Sequence, residues 1–373
     1  MCSRAEIYVH IPFCVRKCSY CDFYSFRADD NTKKQYFDDL IREISESPFT
    51  GISVPSIFIG GGTPSSVPAE YIGRVTDCLN RLFKIEKDAE ITIEANPGTV
   101  TEESLKAYRS FGINRLSFGL QSANDRTLRK LGRIHTFRDF EASFHMAREA
   151  GFTNISLDLM SALPGETLRD FENSLFKAIS FKPEHLSVYS LIIEENTPFY
   201  ALYNEENGTR REELPDEDLD RKMTALANEL LSDAGYTHYE ISNYALPGFA
   251  SRHNEGYWTG VPYLGFGPAA ASFIGGKRFK NALSMDWFER PYIETETLTK
   301  EAQESEFMIL GLRMMKGVDD REFRARFSDS FFIRFAHVIE KYERLGALKR
   351  EHDRLFFTPY GIDVSNIVLS EFL

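Results

Sequence analysis

Short apolar runs rich in β-branched residues recur along the first half of the chain. Each run is bounded by Gly, Pro or polar residues, which is the pattern of buried β-strands. Apolar side chains occupy consecutive positions in these runs, so both faces of each strand are expected to be covered. We predict six strands, at residues 6–13, 56–61, 90–97, 115–122, 155–164 and 185–193.

Amphipathic stretches separate these runs and predict helices. They include "KKQYFDDLIREISE", "TEESLKAYRSFG" and "LRDFENSLFKAISF". Alternation of such helices with strands that are apolar on both sides predicts an α/β fold with a parallel sheet covered by helices. Six repeats fit a partial (β/α)6 barrel of the TIM type, short of the eight repeats of a complete barrel.

The pattern changes after about residue 222, and three domains are expected. The first half forms the barrel at 1–222, and a connecting segment follows at 223–298. The Gly-, Pro- and aromatic-rich stretch at 247–276 predicts irregular structure rather than regular elements. From 299 to 373, helical patterns ending in a short basic hairpin resemble a winged-helix-like α+β module.

Charge and composition narrow the class of protein. The 373 residues carry a net charge of −12, which argues against nucleic acid as a partner because such proteins need a basic surface. No run approaches the ~20 apolar residues of a membrane span. The N-terminal residues lack the pattern of a signal peptide. We therefore expect a cytoplasmic protein, in which clustered cysteines bind metal more often than each other.

Three of the five cysteines lie within eight residues, directly after the first predicted strand. Cys14, Cys18 and Cys21 could hold one metal centre on a tight loop. An iron–sulfur cube usually takes four thiolates, so three would leave one iron open to another ligand. The alternative is a zinc site in which His10 is the fourth ligand, although closed zinc sites usually draw on two separated ligand pairs.

Glycine and polar residues follow the next predicted strands, at positions where the loops of an α/β barrel carry chemistry. The second strand ends in "GGGTP" (60–64), the third carries Glu94, the fourth ends near Gln121 and the fifth carries Asp158. The glycines allow a ligand to approach the backbone closely. Each polar residue alone would more often be a salt-bridge or capping residue, so their joint placement is what indicates a site.

The spacing Cys14-x3-Cys18-x2-Cys21, together with "GGGTP" after the second strand, resembles the radical S-adenosylmethionine (SAM) superfamily. In that superfamily, the free iron of a 4Fe–4S cluster binds the amino and carboxylate groups of SAM. The resemblance therefore implies a radical SAM barrel with a 4Fe–4S cluster and SAM as cofactors. Carried over by position, the SAM contacts would be Tyr8, Tyr20, Gly61, Gly62, Thr63, Glu94, Gln121, Arg133 and Asp158.

The strings "YVHIPFC", "IEANPG", "LSFGLQS", "DLMSALPGET" and "LGFGPAAAS" narrow the resemblance to the oxygen-independent coproporphyrinogen III oxidase group. This resemblance covers nearly the whole chain. The oxidase motif continues to a fourth cysteine, CxxxCxxCxC, whereas Phe23 occupies that position here. Because phenylalanine donates neither a proton nor a thiol, the departure argues against the oxidase reaction.

The stretch "RHNEGYW" (252–258) resembles the HNxxYW motif of the HemW type of haem chaperone, a relative of the oxidase that keeps the cluster. By this resemblance, His253 could ligate haem iron, Tyr257 and Trp258 could face the porphyrin, and Arg252 could meet a propionate. From residue types alone, His253 would more often cap a turn and the aromatic residues would more often fill core.

The resemblance implies a haem chaperone that binds haem and SAM with a 4Fe–4S cluster. Its partners would be haem and acceptor haemoproteins, membrane-associated ones among them. Two alternatives stay open. One is an oxidase that decarboxylates coproporphyrinogen III to protoporphyrinogen IX, and the other is a zinc-binding module without redox chemistry. The sequence assigns no catalytic residue.

Overall fold

A computed structural model describes residues 3–289 and 294–373, and in this part of the chain twelve strands form one sheet. Their order is β12-β11-β10-β9-β1-β2-β3-β4-β5-β6-β8-β7. The strands are β1 Glu6–Ile11, β2 Ser53–Gly61, β3 Lys84–Ala95, β4 Arg115–Gln121, β5 Ile155–Ser161, β6 His185–Ser190, β7 Thr237–Glu240, β8 Asn243–Ala245, β9 Tyr263–Phe266, β10 Ala271–Ile274, β11 Lys277–Lys280 and β12 Glu294–Thr297.

The six central strands, β1–β6, are parallel and follow one another in chain order. This confirms the predicted α/β fold and its six strand positions. The prediction missed the start of β3, because Lys84, Lys87 and Asp88 are exposed and carry no apolar signal. Parallel strands place their carboxyl ends at one edge of the sheet, so the loops after β1 to β5 come together there.

Helices connect the strands and cover the outside of the sheet. Thr101, Thr136 and Thr167 start three of them with reciprocal capping boxes, which satisfy the first backbone N–H groups. The helices before residue 260 are α1 Asp30–Glu46, α2 Ala69–Leu82, α3 Glu102–Ser110, α4 Asp125–Lys130, α5 Phe137–Glu149, α6 Leu168–Ser180, α7 Pro198–Tyr203, α8 Glu217–Asp233 and α9 Arg252–Thr259; short 3₁₀ turns lie at Pro64–Ser66 and Arg211–Glu213.

The segment after residue 222 extends both edges of the sheet. β8 pairs antiparallel with β6, while β9 pairs parallel with β1 and continues into the antiparallel strands β10–β12. The prediction of irregular structure at 247–276 is therefore wrong, since this stretch contains α9, β9 and β10. The strands were missed because glycine is not typical of a strand. Gly265 stands in β9 because a Cβ there would lie 2.2 Å from the carbonyl oxygen of Ala271. The boundaries of the barrel and this segment, at 222 and 298, stay a prediction.

The C-terminal part forms the expected small α+β module with its own apolar core. Phe323, Phe331 and Phe357 are among the side chains packed in it. The elements are α10 Lys300–Gly311, β13 Val318–Asp319, α11 Asp320–Phe327, α12 Phe331–Arg334, α13 Ala336–Arg344, β14 Leu348–Glu351, β15 Arg354–Phe357, α14 Pro359–Asp363 and α15 Ser365–Ser370. No helix among the described residues is long and apolar enough to cross a membrane.

A buried carboxylate on α1 attaches the late strands to the barrel. Glu43 accepts hydrogen bonds from Gly267 N at 2.8 Å, Asn281 Nδ2 at 2.6 Å and Trp287 Nε1 at 2.9 Å. Burial raises the pKa of Glu43 above its ordinary value, while the three donors lower it. One side chain thus satisfies three donors from a segment more than 200 residues away in sequence.

Replacing this carboxylate should destabilise the fold. Glu43→Ala leaves three donors without their acceptor, so we expect the free energy of unfolding to fall by roughly 3 kcal/mol. Glu46→Ala is the matched control, because Glu46 lies on the same helix and is exposed. The free energy of unfolding of Glu46→Ala should stay within about 0.5 kcal/mol of the wild-type value. Urea denaturation measures both, and similar losses in the two variants would contradict the role of Glu43.

Candidate functional site

The cysteine loop continues directly from the end of β1. Cys14 N donates to Phe26 O at 3.0 Å, which closes the loop, and Cys21 N donates to Cys18 O at 3.4 Å within it. All three thiols are free and partly exposed. Burial raises the pKa of the Cys14 thiol, and it raises that of Cys21 to about 11. A metal centre bound here would have to displace these protons.

His10 supports the loop and does not point to the cysteines as a free ligand. Its Nε2 is 2.8 Å from Tyr24 O and its Nδ1 is 3.0 Å from Tyr8 Oη. A Cβ on Gly61 would lie 2.6 Å from the His10 ring, so the glycine is required for this packing. In residues 3–289 and 294–373, no group of three or more His, Cys, Asp or Glu side chains is arranged to hold a single metal ion.

The glycine loop after β2 lies against the cysteine loop. Gly62 N donates to Ile11 O and Thr63 N donates to Phe13 O, both at 2.8 Å. A Cβ on Gly62 would lie 2.8 Å from Phe13 O, so no other residue fits without displacing the backbone. The Thr63 hydroxyl is 3.4 Å from Cys14 Sγ. These contacts hold the two loops together.

Two carboxylates lie beside the glycine loop, deep in the barrel. Glu94 accepts from Gly61 N at 3.0 Å, and Asp158 accepts from Ser117 Oγ at 3.3 Å. Burial, reinforced by the neighbouring Asp158, raises the pKa of Glu94 to about 8. Burial also raises the pKa of Asp158, although Arg115 opposes the shift. Both groups are positioned to accept hydrogen bonds from a ligand that enters from the loops.

Arg133 connects the cysteine loop to the ends of β3 and β4. Its Nη1 donates to Cys18 Sγ at 3.5 Å, and its Nη2 donates to Asn96 Oδ1 and Gly119 O. Gln121 lies nearby with a positive φ of 65°, and its Oε1 accepts from Tyr189 Oη at 3.1 Å. The Arg133 guanidinium therefore places a positive charge next to the Cys18 sulfur.

A cavity of about 400 Å³ opens between these groups. Tyr8 is the predicted SAM contact that does not line it, and its hydroxyl lies 3.0 Å from His10 Nδ1. The other predicted residues line the cavity: Cys14, Cys18, Cys21, Tyr20, Gly61, Gly62, Thr63, Glu94, Gln121, Arg133 and Asp158. Three thiols beside glycine backbone, carboxyl groups and a cation fit a cluster with bound SAM, because a cube held by three thiolates leaves one iron open to another ligand.

Sequence reasoning missed several residues of this cavity. Arg115 and Asn96 line it, as do Tyr189 and Asn254. Arg115 is only 2% exposed and its Nε has no hydrogen-bond partner among the described residues. The sequence did offer a signal for Arg115, because it is a charged residue at the first position of a mostly apolar strand, β4. Asn96 stands two residues after Glu94 at the same strand end, which was a signal of the same kind.

The "RHNEGYW" stretch lies in α9, and its side chains face different parts of the structure. Arg252 pairs with Asp88 at 3.1 Å on the outside. His253 is buried, with Nδ1 2.9 Å from Ser56 Oγ and Nε2 3.1 Å from Tyr257 Oη. Burial lowers the pKa of His253 to about 3, so the ring is neutral. In this conformation, neither ring nitrogen of His253 is available to a haem iron.

The remaining motif residues face a different space. Tyr257 and Trp258 line a second cavity, on the side of α9 that faces the C-terminal module, whereas Asn254 lines the cysteine cavity. The guanidinium of Arg313 lies 4.3 Å from the centre of the Trp258 ring. A Cβ on Gly256 would lie 2.1 Å from Glu6 Oε1, which explains the glycine within the motif.

The buried Glu94 predicts a pH dependence of the protein without cofactors. Folded Glu94 keeps its proton up to about pH 8, whereas the unfolded residue releases it near 4.5. The folded state therefore loses stability as pH rises through this window. Between about pH 6 and about pH 8, the free energy of unfolding of the wild type should fall by roughly 2 kcal/mol more than that of Glu94→Gln, which has no proton to release. Urea denaturation at both pH values tests this, and equal losses would mean that Glu94 is ionised in the folded protein.

Comparisons with known proteins agree with this geometry. Residues 8–178 match the radical SAM superfamily, and residues 298–364 match the HemN C-terminal domain. The chain is 38% identical to "Heme chaperone HemW" of Bacillus subtilis, over 98% of each chain. It is 35% identical to the protein of the same name in Lactococcus lactis, over 98% of this chain and 96% of the relative.

The fold has a solved counterpart. The coproporphyrinogen III oxidase HemN of Escherichia coli, a radical SAM enzyme, superposes with a TM-score of 0.86. The match covers 100% of this chain and 90% of that one, at 24% sequence identity. The two proteins therefore share a fold that includes the C-terminal module.

Proposed function

This chain belongs to the radical SAM superfamily and, within it, to the HemW family, and on that premise we propose that it is a haem chaperone. It binds haem and delivers it to acceptor haemoproteins, membrane-associated ones among them, and it carries a 4Fe–4S cluster with SAM. The observation that carries the proposal is the likeness to curated haem chaperones along 98% of the chain.

Cys14, Cys18 and Cys21 hold the cluster, and the residues around the 400 Å³ cavity hold SAM. A 4Fe–4S cluster held by these cysteines would supply an iron able to bind the amino and carboxylate groups of SAM. The chain's own residues do the rest of the binding. Gly61 and Gly62 let the ligand approach the backbone, and Glu94 and Asp158 accept hydrogen bonds from hydroxyl groups.

The position of Phe23 favours the chaperone over the oxidase. Phe23 is 61% exposed at the edge of the cysteine cavity. In the oxidase motif a fourth cysteine stands at this place, and an exposed phenyl ring can neither donate a proton nor form a thiolate. The likeness to curated haem chaperones favours the chaperone over the zinc-binding module as well. A cytoplasmic location follows from the proposal, because free cluster thiols need a reducing compartment.

The first test is an anaerobic haem titration of the cluster-reconstituted protein, followed in the Soret region. We expect a saturable shift with one haem per chain. The absence of a saturable shift would overturn the chaperone. Formation of vinyl product from coproporphyrinogen III, under reducing anaerobic conditions with SAM, would instead establish the oxidase.

A second test concerns the cluster. Cys18→Ser should abolish bound iron and sulfide after reconstitution, because a hydroxyl does not replace a thiolate ligand. Cys78→Ala is the matched control: Cys78 is buried on α2, away from the loop. It should retain both elements and the broad visible absorbance of the cluster. Equal iron and sulfide in the two variants would remove Cys18 from the ligand set.

A further inference from the structure

The charged side chain of Arg115 is buried inside the barrel and lines the cysteine cavity. Arg115 is the first residue of β4, whereas the cysteine loop lies beyond the carboxyl ends of the strands, so the two approach the cavity from opposite sides. The Arg115 Nε has no hydrogen-bond partner, and no carboxylate of the described residues forms an ion pair with Arg115 at contact distance. A guanidinium buried in this way is unfavourable unless another charge compensates it.

The strand register brings Arg115 near two buried carboxyl groups. Thr92 of β3 pairs with Arg115, and Glu94 pairs with Ser117 two positions further on. Asp158 of β5 accepts a hydrogen bond from Ser117 Oγ at 3.3 Å. Alternate residues of a strand lie on the same face, so Arg115 and Ser117 both face the barrel interior. Of these five residues, all but Thr92 line the cavity.

The charge of Arg115 acts on both carboxyl groups. Burial raises the pKa of Asp158, and Arg115 is the strongest influence that lowers it. Burial and the neighbouring Asp158 raise the pKa of Glu94 to about 8, while Gly61 N and Arg115 lower it. The other titratable groups that face these three residues are Tyr8 of β1, Arg133 after α4, His185 and Tyr189 of β6, Tyr239 of β7 and His253 of α9.

We propose that Arg115 is a positioning residue of the cofactor site, whose buried charge is the shared counter-ion of Glu94 and Asp158 when SAM is bound. The inference rests on the proposed function, because it takes the cysteine cavity as the place that SAM occupies. Arg115 acts through the two carboxylates and needs no contact of its own with SAM. It therefore has a role that neither the cysteine loop nor the glycine loop supplies.

The charges in the cavity explain why a shared counter-ion is needed. An ionised carboxylate accepts hydrogen bonds from hydroxyl groups more strongly than a neutral carboxyl group does. Two neighbouring carboxyl groups resist ionising together, because each negative charge raises the pKa of the other group. One guanidinium beside two carboxylates leaves a single net negative charge, which complements the positive charge of the SAM sulfonium.

The first test uses the protein without cofactors. Folded Glu94 ionises near about pH 8, so wild-type stability should fall as pH rises to this value and then level off. Arg115→Met and Arg115→Gln both remove the cation, so the folded carboxyl keeps its proton to higher pH. The pH at which stability levels off should therefore rise by at least about one pH unit in both variants. Urea denaturation between about pH 6 and about pH 10 measures this.

Two further variants serve as controls in this test. Arg115→Lys keeps a positive charge at the same place, so its stability profile should match that of the wild type. Arg81→Met removes the same charge from an exposed position on α2, and its profile should match as well.

The second test measures SAM binding to the full-length, cluster-reconstituted protein by anaerobic equilibrium dialysis. At about pH 7, Arg115→Met and Arg115→Gln should weaken SAM binding at least about tenfold, because a pKa that is higher by one lowers the ionised fraction about tenfold. The affinity of both variants should recover as pH rises, because high pH ionises the carboxyl groups without the help of Arg115. Arg115→Lys and Arg81→Met should bind SAM as the wild type does.

The outcomes separate this role from the proposed function. Shifted profiles in Arg115→Met and Arg115→Gln alone, with unchanged circular dichroism and iron content, support the role of Arg115. A wild-type profile in these two variants would overturn it. A loss of SAM binding that is equal at every pH, or that Arg115→Lys shares, would also overturn it, since the arginine would then only support packing. No SAM binding by the wild type would overturn the SAM site itself.

Discussion

Two backbone hydrogen bonds, from Gly62 N to Ile11 O and from Thr63 N to Phe13 O, continue the pairing of β1 and β2 past the ends of both strands. The cysteine loop and the glycine loop lie together because of them. The bonds require that residue 62 has no side chain, since a Cβ there would meet Phe13 O at 2.8 Å. The cavity that we propose for a cluster and SAM therefore forms because the pairing of the parallel strands β1 and β2 continues into the loops that follow them.

The second constraint is the burial of polar groups inside the barrel. Glu6, Glu94 and Asp158 are desolvated enough that the pKa of each carboxyl is raised. Such groups weaken a protein that holds no ligand, because burial without full hydrogen bonding is unfavourable. Glu94 and Asp158 line the cavity that also holds the free thiols, which is typical of a site in which ligands complete the hydrogen bonding. Glu6 lies apart from them, at the start of β1 against Gly256 of α9.

Helix α9 has a double role in this arrangement. One face of it packs His253 against β2 through Ser56 and Phe58, and the other presents Tyr257 and Trp258 to the C-terminal module. Sequence analysis treated the motif as one ligand-binding unit. The His253 side chain packs against β2, and no local pattern indicated this contact because Ser56 stands almost 200 residues earlier in the chain. A role of His253 as a haem ligand stays a prediction.

The sequence by itself determined the six parallel strands, the cysteine spacing and the glycines that follow β2, since each of these depends on local periodicity or on residues a few positions apart. It also indicated Glu94, Gln121 and Asp158, because polar residues at parallel strand ends converge whatever the rest of the chain does. Only the tertiary structure decided that β9 pairs with β1, that His253 is buried and that a second cavity opens beside Trp258. Those features arise where distant segments pack, and no local pattern records which surfaces will meet.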